Sequence, residues 1–397
     1  MRSLRERLMA VTGGTPQSAR PAPPAAQAQP FFMREHMVPL EELHGIEHVT
    51  LEEVRACDPL FTGVRLDLSR LLFLDTETTG LSGGAGTVAF LIGVGWLEER
   101  GMVIRQYVLR DYPQEGAVLR EIAGLFDRAD TLITFNGKSF DLPLLESRMV
   151  LNRIRLQVTQ YPHLDLLHAA RRVYKLRLKR CSLSALEEDV LGMAREDDLP
   201  GAQVPQRYFD YLRTGEFALL EDVLRHNLQD VKSLAALTGH LCAVYRSPQA
   251  LSHAQDLFGV GRTLMRGGRT QQARACFKIL GHSSMSSQAR MHLAISYRRG
   301  REWGKAVASL QEMIARGEGG TWPYTELAKY YEHVAHDIPQ ALACASAALA
   351  FALNTQMLGG EDDAQAEALR RRIMRLKRKQ AGMTARENQM KTGGTAS

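Results

Sequence analysis

The clearest signal along the chain is a change of hydrophobic period. Between residues 71 and 135 the apolar positions come in short runs: LLFLD at 71–75, then Thr87 to Trp96, Met102 to Arg110 and Thr131 to Phe135. Short apolar runs bounded by glycine and polar residues predict buried strands. The polar link LEERG between the second and third runs predicts a hairpin. Leu119 to Phe126 and about Leu142 to Leu151 read as helices. From Leu164 the period becomes helical, over 164–174, 182–191, 205–213 and 217–245. Hairpin strands first and strand–helix alternation afterwards predict an α/β fold, a mixed sheet flanked by helices.

A second pattern begins near 250. Leu293-Ala294 and Leu327-Ala328 lie 34 residues apart, as do Tyr297 and Tyr331. Ala273, Ala306 and Ala341 mark equivalent points in successive second helices. Small residues at fixed positions let paired helices approach closely. The spacing resembles about three degenerate tetratricopeptide repeats and predicts an all-α helical-repeat region over 250–380. An ordinary bundle with an accidental period is the alternative.

The flanks differ in composition. Residues 1–32, with RPAPPAAQAQP, bury too little apolar surface to offset ordering entropy and are expected to be disordered. Residues 33–69 read as a partly ordered lead-in whose run HGIEHVTLEEV could hold a short strand or helix, and 381–397 as a second disordered tail. The run RRRIMRLKRK at 370–379 reads as the end of a capping helix: either a solvated basic face or a nucleic-acid contact.

Composition narrows the class. Hydrophobic residues make up 45% and charged residues 24%, the balance of a soluble globular protein. No run approaches the ~20 apolar residues of a membrane helix, and the N-terminus lacks the apolar core of a signal peptide. The five cysteines are scattered, which argues against structural zinc and a disulfide framework and fits a cytoplasmic compartment. A net charge of +6 is compatible with a polyanionic partner.

The chemistry is concentrated in LLFLDTETTG, Leu71 to Gly80. Strand alternation puts Asp75 and Glu77 on one side at the strand's end. Paired carboxylates repel unless a cation sits between them, and a hard divalent ion with oxygen ligands is the usual solution. Two further strings carry acids. Phe135-Asn136-Gly137-Lys138-Ser139-Phe140-Asp141 follows a strand, with Asp141 either a helix N-cap or a site acid. His226-Asn227-Leu228-Gln229-Asp230 lies within the last long helix of the α/β region, where residues i and i+4 share a face.

Together the three strings resemble the DEDD exonuclease superfamily, ribonuclease H-like nucleases that include polymerase proofreading domains. The overall pattern is most similar to YprB-type ribonuclease H-like domains over about residues 70 to 246. That similarity also takes in HLDLL at 163–167, CSLSALEEDVLG and LPGAQVPQRYFDYLRTGE. The resemblance implies a ribonuclease H-like fold and a 3′–5′ exonuclease with two Mg²⁺ or Mn²⁺ ions held by Asp75, Glu77, Asp141 and Asp230. It implies His226 as general base and Phe140 packed beneath the site. The histidine branch spaces its His one residue further from the last Asp, and the tyrosine branch uses the i, i+4 spacing found here. Thr78, Asn136 and Lys138 are expected to contact nucleic acid, DNA or RNA and single-stranded. Arg171, Arg172, Lys175, Arg177, Lys179 and Arg180 either hold phosphates or form a solvated face. Asp165 is read as orienting a helix or supporting the site acids from behind, with direct metal ligation the less favoured alternative. The helical repeats are a candidate surface for a protein partner, and a catalytically silent scaffold is the competing reading.

Overall fold

The computed structural model describes residues 31–80, 86–195, 198–357 and 363–393. It divides into two compact units, one ending at Leu251 and one beginning at Ser252. Except for Phe31 and Phe32, the segment 1–32 expected to be disordered lies outside the described residues.

The first unit is built on six strands: β1 (Phe32–Pro39), β2 (Leu71–Thr78), β3 (Ala89–Glu98), β4 (Gly101–Val108), β5 (Thr131–Thr134) and β6 (His163–Asp165). Their order is β1-β4-β3-β2-β5-β6. The first four pair antiparallel, and β5 and β6 add in parallel, which makes the sheet mixed as expected. The β3–β4 hairpin is also as expected. Two strands differ from the expectation. Residues 32–39 belong to the sheet as an edge strand rather than to a lead-in, and 163–165 form a strand where a helix start was expected. Arg34 and Glu35 on β1 make ion pairs with Glu221 and Arg105, a charged edge of the kind that discourages pairing with other chains.

Between the strands run α1 (Leu51–Cys57), α2 (Glu115–Phe126) and α3 (Asp141–Leu151), and α4 (Leu166–Tyr174) follows β6. A short helix, α5 (Leu183–Leu186), widens into a π-helical turn over Glu187–Leu191. It is followed by α6 (Val204–Thr214) and α7 (Glu221–Arg246). One sheet face is buried under α2 and α3: Leu72, Leu74, Ile92 and Val94 meet Ile122, Phe126, Leu142 and Leu145. The other lies under α6 and α7, where Phe90 stacks on Tyr208 at 4.0 Å. Alternation along β2 sends Leu72, Leu74 and Thr76 toward the first layer and Asp75 and Glu77 toward α7.

The second unit is all helical: α8 (Ala254–Arg266), α9 (Thr270–Ile279), α10 (Ser286–Arg299), α11 (Trp303–Ala315), α12 (Trp322–His333), α13 (Ile338–Met357) and α14 (Asp363–Gly393). Each helix packs on its chain neighbours. Ala273, Ala294, Ala306, Ala328 and Ala341 are all buried, and small residues at such positions let paired helices approach closely. The last helix continues to Gly393, beyond residue 380 where a disordered tail was expected. That stretch contains no proline to break the helix. The basic run on α14 is partly neutralised within the unit. Arg372, Arg375 and Lys379 reach the buried carboxylate of Glu332 at 3.0, 2.6 and 2.7 Å.

Candidate functional site

The site forms where the ends of β2 and β5 meet the first turn of α3 and the middle of α7. Helix α7 can lie close because β3 is bare beneath it. A Cβ at Gly93 would come within 2.3 Å of Asn227 Oδ1, and one at Gly95 within 3.0 Å of Val231 Cγ1. Asn227 is fully buried and donates from Nδ2 to Asp75 Oδ2 at 2.9 Å, while its Oδ1 accepts from Gln106 at 3.0 Å. Asp75 is thereby held from the helix side.

Around it stand the other acids. Glu77 Oε1 lies 3.8 Å from His226 Nε2, and Asp230 Oδ2 lies 3.5 Å from the same nitrogen. One ligating atom from each of Glu77, His226 and Asp230 falls within 4.8 Å of the others. Their side chains keep 14%, 13% and 14% exposure, so the site is a recess largely but not wholly closed to solvent. Asp141 opens α3 and accepts from Thr76 Oγ1 at 2.5 Å. Thr76 faces the layer opposite Asp75 and Glu77, so β2 holds acids on one side and steers Asp141 from the other.

Loss of water and mutual repulsion dominate the electrostatics. Burial pushes Glu77 up to about 8; Asp230 and Asp141 add to the rise, and His226 and Arg195 oppose it. Burial and the charges of Asp230, Glu77 and Asp141 hold Asp75 well above the usual carboxylate range. Asp141 is raised by burial to about 6, against the Thr76 hydrogen bond. Burial alone would lower His226, but Asp230, the Asp198 hydrogen bond and Glu77 leave it raised. Such clusters mark sites that expect a cation.

Asp165 has a different role from the site acids. Fully buried, it accepts from the backbone N–H groups of Asn136, Lys138 and Leu167 at 2.9, 3.1 and 3.1 Å. It caps α4 and ties down the turn that delivers Asp141, where Asn136 sits at φ 67° in the left-handed region. Of the expected nucleic-acid contacts, Thr78 donates its hydroxyl to Gly80 O at 2.9 Å and Lys138 Nζ lies 3.7 Å from Asp58. Phe140 is not beneath the site: it is 52% exposed. Leu142 and Leu145 on α3, not Phe140, are the residues buried in the core under the sheet. The α4 basic cluster is partly structural, since Arg172 donates to Cys57 O at 2.9 Å and pairs with Asp58 at 3.0 Å.

Three residues at the site come from runs that carried no site assignment. Arg195 forms a two-pronged pair with Glu187, which is fully buried on the π-helical turn, and also bonds Asp230 and Asp198. Asp198 Oδ1 lies 2.7 Å from His226 Nδ1. No spacing rule connects these positions; only the fold does. Asn227 had a legible signal, because glycines alternating in a strand mark a close backbone approach.

Residues 72–242 match the RNase_H superfamily, so the first unit is a ribonuclease H-like domain, followed by the all-helical unit. Over 362 residues the chain is 33% identical to YprB of Bacillus subtilis (strain 168), a match covering 88% of this chain and 86% of that one. The chain belongs to the YprB family. Among solved structures, the family B DNA polymerase of the hyperthermophilic archaeon Pyrobaculum calidifontis is similar at 17% identity and a TM-score of 0.34. That match covers 54% of this chain, which spans 29% of the polymerase's length.

Proposed function

We propose that this chain is a metal-dependent nuclease that hydrolyses phosphodiesters of single-stranded DNA or RNA, a 3′–5′ exonuclease of the DEDD type. One observation carries the reading. Asp75, Glu77, Asp141 and Asp230, from three separate strings, lie close enough for their charges to act on one another, with His226 against two of them. The donors are carboxylate oxygens with one imidazole, a set suited to hard divalent ions. Asp75, Glu77, Asp141 and Asp230 would hold the ions. Bound Mg²⁺ or Mn²⁺ would supply Lewis acidity at the attacking water and at the leaving oxygen.

The chain's own residues do the rest. Asn227 and Thr76 hold Asp75 and Asp141 in fixed orientations. His226 takes the water's proton as general base. We assign Thr78, Asn136 and Lys138 as contacts for the nucleic-acid backbone.

Asp75→Ala or Asp141→Ala should abolish Mn²⁺-dependent release of nucleotides from the 3′ end of labelled single strands without unfolding the protein. Equal degradation by wild type and variant would falsify the assignment. His226→Ala should slow hydrolysis by about 10²–10⁴-fold and keep metal binding. We read the helix pairs of the second unit as tetratricopeptide-like and as the surface for a protein partner. A scaffold without catalysis would bind no Mn²⁺ at the recess. No helix among the described residues is long and apolar enough to cross a membrane, and we assign the protein to the cytoplasm.

A further inference from the structure

We propose that Arg195 and Asp198 are positioning residues that leave Asp230 and His226 one inward-facing atom each. The inference rests on the nuclease reading of the same recess. Arg195 is 10% exposed, and its Nε and Nη2 grip Glu187 at 2.5 and 2.8 Å. Glu187 is itself fixed, because Ser233 on α7 donates to it. From this anchored position Nη2 also bonds Asp230 Oδ1. One oxygen of Asp230 is therefore committed, and only Oδ2 faces His226 and Glu77. Asp230 is then confined to a single-oxygen contact with any cation in the recess.

Asp198 does the matching thing to His226. A carboxylate oxygen 2.7 Å from Nδ1 can only accept, so Nδ1 carries the proton. Arg195 Nη1, 3.3 Å from the same nitrogen, offers no acceptor and donates instead to Asp198 Oδ2 at 3.1 Å. In the neutral ring the free lone pair is thus on Nε2, which points between Glu77 at 3.8 Å and Asp230 at 3.5 Å. A hydrogen bond at one imidazole nitrogen sets what the other can do. Arg195 holds both arrangements in one frame, since its guanidinium touches Glu187, Asp198 and Asp230 together.

Two substitutions test this in the full-length chain. In alkaline buffer without metal, ¹⁵N resonances of His226 should report the Nδ1-protonated tautomer in wild type. In Asp198→Asn they should report a majority of the other tautomer, because the amide can donate to Nδ1. The same variant should lose at least about tenfold in kcat with KM within about twofold, the pattern of a lost positioning contact. Arg195→Lys cannot span Glu187 and Asp230 together. It should release Asp230 Oδ1, tighten Mn²⁺ binding by calorimetry about threefold or more, and lower kcat about tenfold. A merely structural arginine would show weaker or unchanged Mn²⁺ binding. If Arg195→Lys unfolds, the Glu187→Gln/Arg195→Met pair, which removes the fully buried Glu187 charge together with its partner, carries the same expectation.

A wild-type tautomer and kcat in Asp198→Asn, or unchanged Mn²⁺ affinity in the arginine variants, overturns the proposal. Failure of the wild-type chain to bind Mn²⁺ overturns the nuclease reading instead. The tautomer measurement needs no metal and still decides the role of Asp198.

Discussion

A carboxylate taken out of water gives up its charge unless a cation replaces what the water supplied. Glu77 and Asp141 are in that position, raised to about 8 and about 6. A carboxyl whose folded pKa exceeds its unfolded value destabilises the folded chain once pH passes the unfolded value, and the cost levels off above the folded pKa. For Glu77 the window runs from 4.5 to about 8, and for Asp141 from 3.8 to about 6. The contribution of the metal-free site to stability therefore falls as pH rises through that range. A divalent ion reverses the sign, because it binds the deprotonated forms. Melting curves should show Mn²⁺ raising Tm at about pH 8 and raising it less at about pH 5. Asp75→Asn should raise the metal-free Tm at neutral pH by about 2–4 °C, roughly 1 kcal/mol in a unit of this size, and remove the Mn²⁺ effect. A Mn²⁺ shift independent of pH, or retained in Asp75→Asn, would mean that metal binds elsewhere.

At the scale of elements, the site depends on how closely α7 lies on β3. Gly93→Ala would put a methyl where Asn227 Oδ1 sits, with Val231 Cγ2 only 2.8 Å away on the same side. Neither neighbour has room to yield: Asn227 is bonded to Gln106 and Asp75, and Val231 is fully buried. The substitution should cost about 1–3 kcal/mol by denaturant unfolding and reduce hydrolysis more than the stability loss explains. A fully active Gly93→Ala would show that Asn227 does not steer Asp75. The same contact explains what was readable in the chain. Asp75-Thr76-Glu77, Asp141 and the His226–Asp230 pair each sit in a short string whose local geometry is fixed by one strand or one helix, so each string could be recognised; that they converge is implied only by the resemblance to the DEDD superfamily. Strand β1 could not be recognised: its charged edge positions, Arg34 and Glu35, find partners only in β4 and α7. Strand β6 has three residues, too few for a period to register. Arg195, Asp198 and Glu187 reach the recess through a π-helical turn and the chain beyond it, and no spacing in the sequence encodes that path.

At the scale of the whole molecule, the distribution of basic charge matters more than its sum. The chain carries a net +6, yet much of the most concentrated basic run is spent inside the second unit. The Glu332 side chain has no solvent exposure, with Arg372, Arg375 and Lys379 around it and His333 at 3.4 Å. These cations hold its carboxyl below the usual range against the effect of burial. Removing a buried acid from under three bases leaves them repelling one another across the α12–α14 contact. Glu332→Ala should therefore speed hydrogen exchange along Asp363–Gly393 and lower the stability of the second unit. Arg375 and Lys379, half-exposed, would become free to meet polyanions, so affinity for single-stranded nucleic acid should rise at low salt and the gain should vanish at high salt. All the acids of the recess, with His226, Arg195 and Asp198, belong to the first unit. Mn²⁺ affinity in Glu332→Ala should stay within about twofold of wild type, whereas a parallel loss of metal binding and α14 protection would tie the recess to the helical unit energetically.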